Sequence, residues 1–181
     1  MYKIIALIGE AGSGKDTMMQ KVLEKTSALH EIISCTTRPR REGEVEGVNY
    51  FYLTPQQFAD KVINNEMLEA TCFNNWFYGT SYDSLRSDVV NIGVFNPDGI
   101  EAILDRRDVE VQVFYVKASA KTRLLRQLNR EENPNVAEII RRYTTDENDF
   151  SNLNFSYTVL KNEIYDDLVA GVETILSQIE S

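Results

Sequence analysis

One turn near the start limits what this chain can fold into. Residues 4–17 read Ile-Ile-Ala-Leu-Ile-Gly-Glu-Ala-Gly-Ser-Gly-Lys-Asp-Thr. The apolar run over 4–8 predicts a fully buried strand, and over 17–25 the apolar residues Met18, Val22 and Leu23 fall at helical spacing. Between them Gly9, Gly12, Ser13 and Gly14 lead straight into Lys15. Strand, glycine-rich turn, lysine and helix, in that order, are the context of a phosphate-binding P-loop. Glycines let backbone N–H groups curl around an anion without clashing Cβ atoms. The helix start adds unpaired N–H groups and the positive end of a dipole, and Lys15 adds a mobile full charge for the outer phosphates. In the usual motif the next residue is Ser or Thr, whose hydroxyl reaches Mg²⁺. Here it is Asp16, with the hydroxyl one place later at Thr17. A carboxylate also serves Mg²⁺, which makes Asp16 the candidate metal ligand.

The totals narrow the class. A chain of 181 residues, 43% of them apolar, is expected to form one domain with a real core. No apolar run is long enough to span a membrane, and the start lacks an export pattern, so a cytoplasmic protein with no membrane contact is expected. Cys35 and Cys72 suit neither a disulfide framework nor a metal site and are read as free thiols; the lone His30 is read as a surface or capping residue. The formal charge of −9 argues against nucleic acid as a partner, and any anionic substrate must be held by local basic clusters.

Along the chain, a second strand is expected over 31–35. Residues 34–45 then gather hydroxyls with Arg38, Arg40 and Arg41 in a loop marked by Pro39 and Gly43. Arginine forks match phosphate oxygens. A strand over 49–53 precedes a helix that Thr54, Pro55 and Gln57 start and that runs to about 65. A hairpin is expected over 71–78 with its turn at Asn74-Asn75, and a short helix over 84–90. The pattern then resumes as strands over 92–95, 111–116 and 157–160. Helices are expected from 98 to 103, after Ser119 and after Asn135, and last a periodic one carrying Leu168, Val172, Ile175, Leu176 and Ile179. The polar stretch 127–135 reads as a mobile connection. Strands alternating with helices mean a parallel α/β sheet, with ligands at the carboxyl ends of its strands.

Three blocks of residues resemble the guanylate kinase family, and the resemblance covers nearly the whole chain. The first is the P-loop. The second is Ser34-Cys35-Thr36-Thr37-Arg38 with Arg41, Gly43-Glu44-Val45, Gly47 and Asn49-Tyr50, and the third is Asn65-Glu66, Glu69 and Tyr78-Gly79-Thr80. The resemblance implies a P-loop NTPase-type parallel sheet flanked by helices, with an inserted monophosphate-binding lobe and a lid. In these terms the core is 1–33, 81–125 and 144–181, the lobe 34–80 and the lid 126–143. It also implies ATP-dependent phosphorylation of GMP or dGMP, with Mg²⁺. Arg38, Arg41, Tyr50 and Tyr78 would bind the acceptor phosphate, and Ser34, Glu69, Gly79 and Thr80 the guanine side. Lys15, Arg38, Arg130 and Arg142 would act on the phosphoryl group, and Asn162 would sit beside adenine.

The chain departs from the family at several points. The family's Asp-x-Asp at the end of the middle strand is replaced by Val94 and Asn96, the latter kept as a substrate-site candidate. The first arginine of the lid helix appears as Gln127, beside Arg126. These changes suggest a divergent member, one tuned to a deoxynucleotide or modified base. The alternatives are another nucleoside monophosphate kinase and a non-catalytic scaffold that binds a phosphopeptide in the lobe. Intact glycines and Lys15 speak for an enzyme, either a monomer or a homodimer.

Overall fold

The computed structural model describes residues 1–41, 43–73, 75–130 and 132–179; Asn74, half of the expected hairpin turn, lies outside the described residues. Strand β1 (Tyr2–Ile8) runs into the glycine turn and helix α1 (Lys15–Lys25). Short strands β2 (Leu29–Glu31), β3 (Cys35–Thr36) and β4 (Phe51–Tyr52) follow, then α2 (Pro55–Ile63), β5 (Met67–Phe73) and β6 (Trp76–Ser81). The chain continues as β7 (Val90–Val94), α3 (Pro97–Leu104), β8 (Val109–Lys117), α4 (Ala120–Leu128), α5 (Val136–Asp149), β9 (Thr158–Lys161) and α6 (Tyr165–Ser177).

Two sheets result. Five strands in the order β2-β7-β1-β8-β9 pair in parallel throughout. Successive side chains of a strand point to opposite faces, so the continuous apolar run of β1 serves both. Ile5 and Leu7 join Met18, Val22, Phe114, Val172 and Ile175 on the side covered by α1 and α6. Ile4, Ala6 and Ile8 join Ile100, Ile103, Val113 and Tyr115 on the side of α3. Burial on both faces is what a parallel sheet requires. The second sheet has the order β4-β3-β6-β5 and packs Cys35 and Met67 against Phe58 of α2. Thr54 and Gln57 complete the capping box of α2, as their spacing predicts.

Two sequence expectations are corrected. The strand expected over 31–35 is split: Leu29–Glu31 belongs to the parallel sheet and Cys35–Thr36 to the second one. The helix expected over 84–90 is only a 3-10 turn, Tyr82–Ser84. Its cause is Asn91, wholly buried, whose Oδ1 accepts from the Arg86 amide (2.8 Å) while Nδ2 donates to the carbonyls of Arg86 (2.8 Å) and Lys3 (3.1 Å). A side chain that takes up backbone groups competes with the helix that would otherwise use them.

Replacing Asn91 with Ala strands those backbone groups in the core. We expect a loss of about 3 kcal/mol in chemical denaturation, the order set by buried polar groups left unpaired, with the strand order unchanged.

Candidate active site

The glycine turn sits at the carboxyl end of β1, between β7 and β8, where ligands of open parallel sheets bind. Gly12 and Gly14 have φ of 81° and 90°, in the left-handed region. A Cβ on Gly12 would lie 2.5 Å from the Arg123 carbonyl, and one on Gly14 2.4 Å from Asn162 Nδ2. The loop's carbonyls are bound from behind. Asn162 Nδ2 donates to Ser13 O (2.7 Å), Arg126 Nη1 to Gly12 O (3.3 Å) and Ser13 O (3.1 Å), and Gln127 Nε2 to Ala11 O (3.3 Å). Helix α1 opens at Gly14 with no side-chain cap, which leaves its first N–H groups to an anion.

In front of the loop lies a cavity of ≈ 300 Å³. Gly9, Ala11 and Lys15 border it on one side, and Ser34, Tyr50, Glu69, Tyr78 and Gly79 on the other. Val94 and Asn96 also line it, and Arg142 and Asp146 reach it from α5. The structure thus brings together residues from three separate blocks of sequence.

Glu69 is the site's most unusual group. A register shift between Met67 and Glu69 interrupts the β5–β6 pairing, the kind of irregularity that re-aims a side chain. Leu68 turns into the main core while Met67 packs in the second sheet. The carboxyl of Glu69 then lies against Gly99 of α3, where a Cβ would be 3.2 Å from Oε2. Burial pushes Glu69 up to about 7, against the opposing pull of the Thr80 hydroxyl and amide. Thr80 is itself buried beside it in β6, in register with Glu69. Gly79 leaves room: a Cβ there would meet the Glu69 carbonyl at 2.5 Å.

The arginines divide. Arg38 is buried and pairs with both oxygens of Glu44 (2.7 and 3.0 Å), with its guanidinium 5.5 Å from the centre of the Tyr50 ring. The Arg38 hydrogen bonds hold Glu44 down to about 2. Tyr50 and Tyr78 meet edge to face, 6.1 Å apart. Arg142 borders the cavity while its Nε donates to Glu138 (2.9 Å). Arg38, Arg41 and Arg130 do not line the cavity, and the last two are exposed. Asp16 is exposed, 3.9 Å from Lys15 Nζ, as is Thr17. Among the described residues no three His, Cys, Asp or Glu side chains cluster to hold a metal.

A guanylate kinase family model matches residues 1–179. The chain belongs to the guanylate kinase family. It is 32% identical over 178 residues to a guanylate kinase of Hydrogenovibrio crunogenus, covering 94% of this chain and 82% of that protein. A guanylate kinase of Mesomycoplasma hyopneumoniae (strain 7448) is 44% identical over 81 residues; that match takes in 44% of this chain and spans 41% of the relative's length. The fold is similar to the crystal structure of a guanylate kinase from Anaplasma phagocytophilum, with a TM-score of 0.71, 20% identity, and 99% and 87% of the two chains covered.

Several contacts of this guanylate kinase family member are not legible in its sequence. Asn96 caps α3 through Oδ1 to the Gly99 amide (2.8 Å), and its Nδ2 donates to Thr71 Oγ1 (3.0 Å), another cavity residue. Asn162 braces the P-loop. Arg126, passed over as a site residue, does the same and also donates to Asn162 O (2.9 Å). Asp146 was signalled by nothing in the sequence, since an acidic residue on a polar helix is usually solvated. His30 meets the Ser84 carbonyl (3.1 Å), in keeping with a capping role. Cys35 and Cys72 are both free, Cys35 buried and its thiol pushed up to about 11 by burial.

The raised Glu69 pKa makes a stability prediction. The folded chain holds this proton more tightly than the unfolded one, so Glu69 lowers stability as pH rises from about 4.5 to 7, and the cost is full above that. Glu69→Gln should therefore raise stability at pH 8 by up to about 3 kcal/mol and give nothing at pH 4. Denaturation curves at the two pH values measure this.

Proposed function

We infer that this chain transfers the terminal phosphoryl group of ATP to GMP or dGMP, giving ADP and the guanine nucleoside diphosphate. The observation that carries the reading is the placement of Glu69. A buried carboxyl borders the same cavity as P-loop Lys15. Guanine offers two donors side by side, N1–H and the 2-amino group, and an ionised carboxylate accepts both. The hydroxyls of Ser34 and Thr80 suit guanine O6. Adenine would turn a lone pair toward Glu69 and leave it unpartnered.

On this reading Arg38, Arg41, Tyr50 and Tyr78 receive the acceptor's phosphate. The Glu44 fork orients Arg38 before substrate arrives. The P-loop amides and Lys15 receive the donor's phosphates, and Arg142 reaches the space between the two nucleotides. Phosphoryl transfer needs two anions brought in line, water excluded and developing charge neutralised. No general base is required. Tyr50 and Tyr78 line the same cavity as Lys15 and Arg142, a placement that supports two anions meeting there. Mg²⁺ would neutralise charge on the triphosphate. The exposed Asp16 fits an ion that arrives with ATP, since Mg²⁺ is commonly held by one or two carboxylates and the substrate's phosphates.

Turnover with ATP and GMP, IMP or AMP tests the reading. GMP should exceed IMP, which lacks the 2-amino group, and exceed AMP by roughly 10⁴-fold in kcat/KM. Glu69→Ala should erode that preference by losing guanine turnover. Because ionised Glu69 is the binding form, the KM for GMP should rise below pH 7, about tenfold per unit. Lys15→Ala should lower kcat by about 10²-fold or more with little change in thermal stability. Equal use of GMP and AMP would sink the proposal.

A separate measurement addresses Asp16. Asp16→Ala should raise the Mg²⁺ concentration for half-maximal rate, and Asp16→Ser should restore it. Unchanged Mg²⁺ dependence in both would make Asp16 a bystander.

A further inference from the structure

One P-loop amide is already taken. The Ala11 N–H donates to Oδ2 of Asp146, at 2.6 Å, across 135 residues of sequence. Ala11 lies inside the glycine turn, and its carbonyl is held from behind by Gln127. Its N–H meets Asp146 of the cavity lining, on the side where a phosphate oxygen would be received. Asp146 is half-buried and borders that cavity with Lys15 and Arg142. The charges that bear on it are Lys15 of α1, Arg123 of α4 and Glu10 of the loop, with Arg141 on its own helix. Burial pushes its carboxyl up, while the Ala11 amide, Lys15 and Arg123 pull the other way. An anion is thus held on a donor of the phosphate cradle, close to the lysine that a phosphate needs.

Helix α5 carries a second member of this arrangement. Arg142 is four residues before Asp146, and residues i and i+4 share a helix face. That face presents the carboxylate to the P-loop, while Arg142 donates to Glu138, one turn back (2.9 Å). The same Glu138 also holds Arg141 (2.8 Å) and is drawn down to about 2 by these arginines. Both charged groups that α5 turns toward the cavity are therefore satisfied without a nucleotide. A triphosphate reverses the preference: it repels Asp146 from the Ala11 amide and attracts Arg142.

We propose that Asp146 is an internal occupant of the P-loop, which ties α5 to the phosphate cradle in the empty protein and is displaced as the donor's phosphates enter. Donor binding and movement of α5 are then one event. The affinity for triphosphate is lowered by the population of the tied state. The inference rests on the reading of the P-loop as the donor's site and adds a residue that competes with the donor.

The test uses the full chain, with Asp146→Ala and Asp146→Asn. The probes are Mg²⁺-free ATP and inorganic tripolyphosphate, titrated by calorimetry. Removing the competing carboxylate should tighten both by about tenfold, the order expected when one charge-assisted hydrogen bond no longer competes. The affinity for GMP should stay as in the wild type. The Asn variant keeps an oxygen that can accept from Ala11 and so guards against loss of fold. It should tighten binding as well, because its side chain is neutral. In amide NMR of the wild type, tripolyphosphate should shift Ala11 and the α5 residues around Asp146 together. Unchanged or weaker tripolyphosphate binding in both variants would overturn the proposal. So would a higher Mg²⁺ requirement for turnover with unchanged Mg²⁺-free binding, which would make Asp146 a metal-positioning residue. Turnover of the wild type with ATP and GMP is measured alongside: its absence would remove the catalytic reading, while tripolyphosphate binding would still decide the role of Asp146.

Discussion

The site depends on a loop whose carbonyls are tied from one side by side chains of other elements. Ala11, Gly12 and Ser13 each lend an oxygen to Gln127, Arg126 or Asn162. A glycine-rich turn left to itself would sample many conformations, since glycine loses more freedom on ordering than any other residue. Three side chains from α4 and from the end of β9 take up that freedom before any ligand arrives. The tight approaches of Gly12 to Arg123 and of Gly14 to Asn162 are the steric counterpart of the same arrangement. Donors ordered in advance need little reorganisation when charge develops.

Opposite the loop, the structure keeps a buried carboxyl at a cost in stability. A carboxyl buried as deeply as Glu69 would be more cheaply replaced by an apolar side chain. Its neighbours are arranged to admit it: Gly99 leaves space beside Oε2, and the Thr80 amide works against the cost of burial. Such a group discriminates strongly because the wrong partner leaves it unpaired. The penalty in stability and the selectivity have the same physical origin.

Electrostatics must bring polyanions to a chain of formal charge −9. The positive charge is therefore kept local, and much of it is paired: Arg38 with Glu44, Arg142 with Glu138, Arg123 with Glu10 and Glu147. These pairs fix the direction of each guanidinium.

Much was determined by sequence alone, wherever the signal was local. Apolar β1, the glycine turn, Lys15, the capping box at Thr54 and the cap at Asn135 depend only on near neighbours, and each stands as its residues predict. The blocks around Ser34 and Tyr78 identified the cavity's far wall because their spacing is itself distinctive. Tertiary structure decided what long-range contact governs. Asn91 turned an expected helix into an irregular segment by bonding to backbone across strands. Asn96 and Asn162 hold backbone, because each lies where a helix N-terminus or a loop carbonyl needs a partner. Asp146 gained a place at the P-loop from 135 residues away. No periodicity or motif records such a meeting, since the energy of the contact belongs to the folded arrangement and not to either stretch of chain.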